Sequence, residues 1–567
     1  MKTISTLFQI VFSFLFLFIF SFCQSPKQSP NPEILPATVE KKYHYSKQIS
    51  EIKKQMAKTY LYPEELNKPK AFQKAAIIAT ESFGHQILLP KSFYAKFQDS
   101  IQGDIIHDRK LSDLIIIRNP NFENPTMQSD SVASQLEEEV TKIPFSQDLL
   151  ESVMEILYLQ NEALSLTNTD RIKWEEIQFV ASEGYVSSFL GSSLMIYEKY
   201  EDLLLRPKTI ISIEIPLKET KSKRKIITPL QETSFLKKIG LQNEDELITI
   251  NGKPIRYLST ETVNRMFKGK VGEKIDISIL RNQNEKYSFK VPLKENKPSD
   301  QKIVEGQIWT GKYNFIYIKV SGFIKNNQSS ATEMIKENYF SLMEDAKNKN
   351  IVIHGFVLDL RNNPGGFLDQ IIECMRMLIP NGLLVTTQAS KTSPSMVYAN
   401  QSSITDLPLV VLINENTGSG SELIAGVIQH YHRGIILGSK STGQGLVHVL
   451  NKVSGEENSL IKIASSFLYL PNGKKFHETG ITPNVWISDL KELDHNLFDT
   501  KINVQINSTT ESKEKYQRLD ITSISQWIEQ NGTFRQKVKS DNDKNLLPDY
   551  QLYRSLDFFS GYLSTQK

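Results

Sequence analysis

The chain of 567 residues has only two cysteines, Cys23 and Cys374. Cys23 falls in an N-terminal leader, so the folded body has no disulfide framework to rely on. An excess of charge of one sign is also lacking: 67 Lys+Arg against 64 Asp+Glu leaves a formal charge of +3. No polybasic block interrupts that balance, so the sequence implies no nucleic-acid partner and no attraction to an anionic membrane surface. Internal repeats are missing, and the only low-complexity tract is a short tether. What remains is an ordinary globular composition whose length suggests about three or four domains.

The first 22 residues, MKTISTLFQIVFSFLFLFIFSF, put one lysine ahead of an apolar stretch shorter than the ~20 residues that span a bilayer comfortably. They are expected to be an export signal. Cys23 and the polar, proline-rich QSPKQSPNPEILP (24–36) follow, as after the lipidated cysteine of a bacterial lipoprotein. The expectation is an exported, periplasmic or cell-envelope protein of a bacterium, held to the membrane by a lipid on Cys23. Phe22 stands where lipoprotein processing usually has a small residue, so a cleaved, secreted chain and a signal anchor stay open.

Beyond the tether (24–40), residues 41–208 read as a helical region, with apolar residues at three-and-four spacing in FQKAAIIATESFGHQIL and FSQDLLESVMEILYLQNEALSL. From 209 to 294 the pattern becomes short alternating strands interrupted by two helical stretches. Within it, SFLKKIGLQNEDELITINGKPI, ending in the Asn251-Gly252 turn, resembles a PDZ domain. Such a domain accepts a peptide as an added strand, which would fall here beside Ile211, Ser212 and Ile213. The corresponding stretch KTIISIEI has no glycine to let amides converge on a terminal carboxylate. Weak peptide binding or a purely structural module is therefore expected.

From 305 to 490 strands alternate with helices as in an α/β core, and 491–567 is polar until the amphipathic LLPDYQLYRSLDFFSGYL. The most specific string is VLDLRNNPGGFLDQ, residues 357–370. A buried strand runs into a glycine turn and then a helix, which suits an oxyanion. A second strand, LPLVVLINE, precedes TGSGSELIAG (417–426), where a serine can be exposed at a helix start.

Together with YLPNGKKFHETGITPNV and the closing PDYQLYRSLDFF, these strings resemble the carboxyl-terminal processing peptidases, or tail-specific proteases. The resemblance runs from about residue 170 to the end. It implies a crotonase-like α/β core with an inserted PDZ domain and a helical N-terminal region. It also implies a serine endopeptidase that cleaves exported proteins near their C-termini without metal or other cofactor. Ser419 maps to the nucleophile, and Gly420 with Gly365 or Gly366 to the oxyanion amides. Ser421 then serves the first turn of the helix. Arg361, Asn362 and Asn363 either shape the oxyanion turn or, for Arg361, form a structural ion pair.

Several positions depart from the family. Its catalytic lysine is replaced by Gln444, and the position of its orienting glutamine holds His448. Lys440 belongs to the preceding turn, His430 stands where the family usually has an aspartate, and SEGYVSSFL (182–190) replaces an Asp-Pro-His-Ser string. Two functions stay open: a serine endopeptidase with His448 as base and Gln444 orienting it, or an inactive relative that binds peptides or proteins through the PDZ domain and the groove. The oligomeric state is not legible.

Overall fold

The computed structural model describes residues 47–82, 86–98, 103–118, 142–164, 174–196, most of 210–296, 303–325, 330–389, 393–453, 459–487, 521–531 and 549–566. The leader, Cys23, the tether and Ile213 lie outside them. The chain divides into two compact units, one built mainly from 68–188 and 213–293, the other from 51–67, 189–212 and 294–567.

In the first unit, helices Pro69–Ser82, Gln147–Leu164 and Trp174–Val186 accompany a three-stranded antiparallel sheet that helical periodicity did not suggest. Its strands Gln86–Pro90 and Leu114–Arg118 are almost wholly buried, so they read as short apolar runs with no alternation to betray them. Between 215 and 293 an antiparallel sheet has the order 285–292, 274–281, 246–250, 225–227, 217–219, with 253–254 folded back on 246–250. Asn251 and Gly252 both have positive φ, the requirement of a two-residue hairpin loop.

The expected peptide-accepting strand does not belong to that sheet. Ile210–Ser212 pairs on one side with Lys294–Asn296 in a separate two-stranded ribbon. Ile211 and Ser212 thus lie on a ribbon of their own and not on the edge of the 215–293 sheet.

The second unit holds a six-stranded sheet. Its strands are β1 (Val304–Trp309), β2 (Phe315–Val320), β3 (Gly355–Asp359), β6 (Leu409–Ile413), β7 (Ile435–Gly438) and β10 (Val485–Trp486), in that spatial order. Only β1 and β2 are antiparallel. Helices α1 (Ala331–Asn348), α2 (Leu368–Leu378) and α3 (Gly420–His430) pack on one face, against Ile316, Ile318, Phe356, Leu358, Val411 and Ile413. The alternate residues Phe315, Tyr317, Val357, Val410 and Leu412 meet α4 (Ile521–Asn531) and α5 (Tyr550–Thr565). Burial on both faces explains why β3 and β6 are unbroken apolar runs. Phe559 of α5 stacks on Phe315 with ring centroids 4.7 Å apart.

A second, antiparallel sheet has the order β5 (Ser395–Tyr398), β4 (Leu383–Gln388), β9 (Ser459–Tyr469), β8 (Leu446–Lys452), and Ser193–Ile196 joins β9. Among the described residues no helix is long and apolar enough to cross a membrane.

Candidate active site

Strands β3 and β6 are parallel neighbours, so the turns that leave their C-terminal ends lie side by side. Hydrogen bonds interlock them. Gly418 N–H donates to the Asn363 carbonyl at 2.9 Å, and Thr417 Oγ1 donates to the Leu360 carbonyl at 2.9 Å. Asn362 N–H donates to Asn414 Oδ1, and Asn414 Nδ2 returns a bond to Asn362 Oδ1, each at 2.9 Å. Asn363 is fully buried and donates through Nδ2 to the Val320 carbonyl at 2.8 Å. The two asparagines thus shape the turn, as expected of them.

Gly365 seats the turn against the serine. Its φ is 97°, and a Cβ added there would stand 2.9 Å from both Ser419 Cβ and Gly420 N. Its own N–H is taken by Asn363 Oδ1 at 2.9 Å. The Gly366 and Gly420 N–H groups have no acceptor among the described residues.

Ser419 has φ 52° and ψ −118° and forms the N-cap of α3, with Glu422 at the third helical position completing a capping box. A non-glycine residue in that region costs about 1–3 kcal/mol and persists only where its surroundings over-determine it. Its half-buried hydroxyl stands at the positive end of a helix, where developing negative charge is favoured. Ser421 follows in the first turn, fully buried, and its hydroxyl bonds no partner among the described residues, so it caps no amide.

Glu422 completes this turn. It is fully buried, and its Oε2 accepts the Ser419 N–H at 2.8 Å and the Gln444 N–H at 2.7 Å. Oε1 accepts Ser441 Oγ and the Gly443 N–H, both at 2.6 Å.

Gln444 lies in the loop before β8, its side chain exposed and its Oε1 within 3.3 Å of where a Cβ on Gly418 would be. His448 is in β8, where the pairing with β9 is bulged between Val447 and His448. The extra residue of that bulge is Ser465 on β9, and Gln444 lies ahead of β8, so the two residues do not share one strand as the sequence suggested. His448 Nε2 lies 3.2 Å from where a Cβ on Gly191 would be. Burial pushes its pKa down to about 4, helped by Lys462 and opposed by a backbone hydrogen bond with Gly191. Lys440 is exposed in the preceding turn, and His430, at the end of α3, meets Tyr431 edge-on at 4.8 Å.

Residues 314–487 match the model of the family described as Peptidase family S41. That segment, about a third of the chain, is what carries the similarity to the family. It is 30% identical over 269 residues to a carboxy-terminal-processing protease of Bartonella bacilliformis, covering 46% of this chain and 57% of the relative. It is 27% identical over 277 residues to a carboxyl-terminal-processing protease of Synechocystis, covering 48% of this chain and 61% of that one. It therefore spans less than two thirds of these relatives' own length. Among solved structures, a photosystem II D1 C-terminal processing protease aligns at 20% identity with a TM-score of 0.40, covering 59% of this chain and 86% of that one.

Ion pairs define the role of Arg361. Its guanidinium binds Asp359 (Nη2 to Oδ2, 2.6 Å) and Asp549 (Nη2 to Oδ2, 2.7 Å), and Tyr317 Oη donates to Asp359 at 2.8 Å. Burial opposes the arginine's charge, but the two carboxylates raise its pKa well above the ordinary value. Asp549 is the N-cap of α5, its carboxylate accepting the Leu552 N–H at 3.0 Å. Arg361 is thus an ion-pair partner that moors helix α5.

Two residues of the matched segment escaped sequence reasoning. Glu422 sits in a serine-rich turn, where an acidic residue three positions after an N-cap signals only a capping box. His477 backs the 443–445 loop: a Cβ on Gly445 would come within 2.8 Å of the His477 backbone nitrogen. Burial lowers its pKa, opposed by Glu478 and by a backbone hydrogen bond with Gly443. No local pattern signals it, because a distant turn brings it there.

Proposed function

We propose that the chain is a serine endopeptidase of the carboxyl-terminal processing kind, cleaving exported proteins near their C-termini. The observation that carries this reading is the strained Ser419 at the head of α3 with the Gly365–Gly366 turn packed against it. Ser419 Oγ attacks the scissile carbonyl, and the oxyanion is held by the Gly420 and Gly366 amides, because Asn363 already occupies that of Gly365. Gly365 contributes by letting the turn approach.

Gln444 replaces the family's lysine, and an amide cannot accept a proton near neutral pH. The base in this proposal is His448, neutral above about pH 4, with Gln444 orienting the groups around the nucleophile. The 209–294 segment, read as a PDZ domain, recruits protein substrates, and Cys23 tethers the chain to the membrane at the bacterial envelope.

The test uses purified residues 24–567 with an unfolded protein substrate, comparing Ser419→Ala, His448→Ala and Gln444→Lys. The first two are expected to lose turnover by on the order of a hundredfold or more. If His448→Ala matches wild type and only Gln444→Lys gains hydrolysis, the protein is a peptide-binding relative.

A further inference from the structure

We infer that Glu422 is a positioning residue that locks the Ser419 elbow and the 441–444 loop into one unit. This rests on the reading of Ser419 as nucleophile. The two segments lie more than twenty residues apart, yet one buried carboxylate ties them together.

The four donors divide evenly. Oε2 takes the amides of Ser419 and Gln444, and Oε1 takes the Ser441 hydroxyl and the Gly443 amide. Oε2 is therefore a direct bridge between the elbow and the position where the family has its base. Ser441 extends the set, since its Oγ also accepts the Ile481 N–H at 2.7 Å, and Ile481 leads out of the segment holding His477. An ionised carboxylate is acceptor-only and can satisfy four donors, two on each oxygen. No other side chain of this size does so. An amide at the same place would turn its NH2 against one of the two pairs of donors, and an aspartate would fall short of them.

The arrangement also accounts for how Ser419 keeps its left-handed backbone. The residue's N–H is fixed from one side by Glu422, while the Gly365 turn closes the other side at 2.9 Å. Loosening the carboxylate frees both the serine and the loop that carries Gln444.

Hydrogen exchange and labelling with a fluorophosphonate probe, on residues 24–567, test the inference in two independent ways. In wild-type protein under mild denaturant, the Ser419, Gly443 and Gln444 amides are expected to become exchangeable in one correlated opening. In Glu422→Gln they should exchange at least tenfold faster together. The labelling rate constant at saturating probe should fall at least tenfold, with the probe's half-saturating concentration unchanged. Separate openings of Ser419 and of 443–444 in wild type overturn the inference even if the variant does not fold. So does a Glu422→Gln protein that labels at the wild-type rate. Wild-type protein that resists the probe defeats the reading of Ser419 as an active nucleophile, while the exchange arm still decides whether Glu422 couples the two segments.

Discussion

Gly365 lies so close to Ser419 that one added carbon on the glycine would stand 2.9 Å from the serine Cβ. Gly365→Ala is therefore expected to push the turn off the elbow. The left-handed φ of 97° adds a backbone cost of roughly 1–2 kcal/mol. Probe labelling should fall at least tenfold, with a lower denaturation midpoint. Labelling at the wild-type rate would mean the turn does not set the site.

A second expectation concerns acid. His448 has its pKa pushed down to about 4 by burial, whereas an unfolded histidine titrates near ~6.5. The folded state thus binds the proton less readily than the unfolded one. The stabilising contribution is fully present above about pH 6.5 and is lost as pH falls toward 4. At most about 3 kcal/mol is involved. Urea denaturation between pH 7 and 4.5 should show this loss in wild type and a flatter profile in His448→Gln. Identical profiles would place the acid-labile group elsewhere.

The same value sets the pH dependence of turnover. With His448 as base, kcat/KM rises with pH through about 4 and is flat near neutrality. A limb centred near 6.5 would point to a less buried group.

Arg361 yields a stability prediction. Truncating one member of a buried pair leaves uncompensated charge, at a typical cost of about 3–5 kcal/mol. In Arg361→Ala, Asp359 is left fully buried and α5 loses its mooring at Asp549. Limited proteolysis should cut near 549–566 faster than in wild type. An unchanged cleavage rate would show that the packing of Phe559 on Phe315 alone holds the helix.

What the sequence made legible follows from whether a signal is local. The runs of β3 and β6, each ending in a glycine-bearing turn, announced the α/β core and the candidate nucleophile together. The 86–90 and 114–118 strands did not announce themselves, because short buried runs lack a period. Ile211 and Ser212 looked like part of the 215–293 sheet, since their pairing with 294–296 joins segments more than eighty residues apart. Glu422 and His477 were missed for a related reason: their partners come from remote turns. The alternation that placed Gln444 and His448 in one strand did not foresee that the strand begins only at Leu446, after the loop that carries Gln444.

The most direct measurement is fluorophosphonate labelling of purified residues 24–567, with the modified peptide mapped by mass spectrometry. The account predicts a single adduct on Ser419, absent from Ser419→Ala and slowed at least tenfold in His448→Ala. No adduct, or one that maps to another serine, would contradict it.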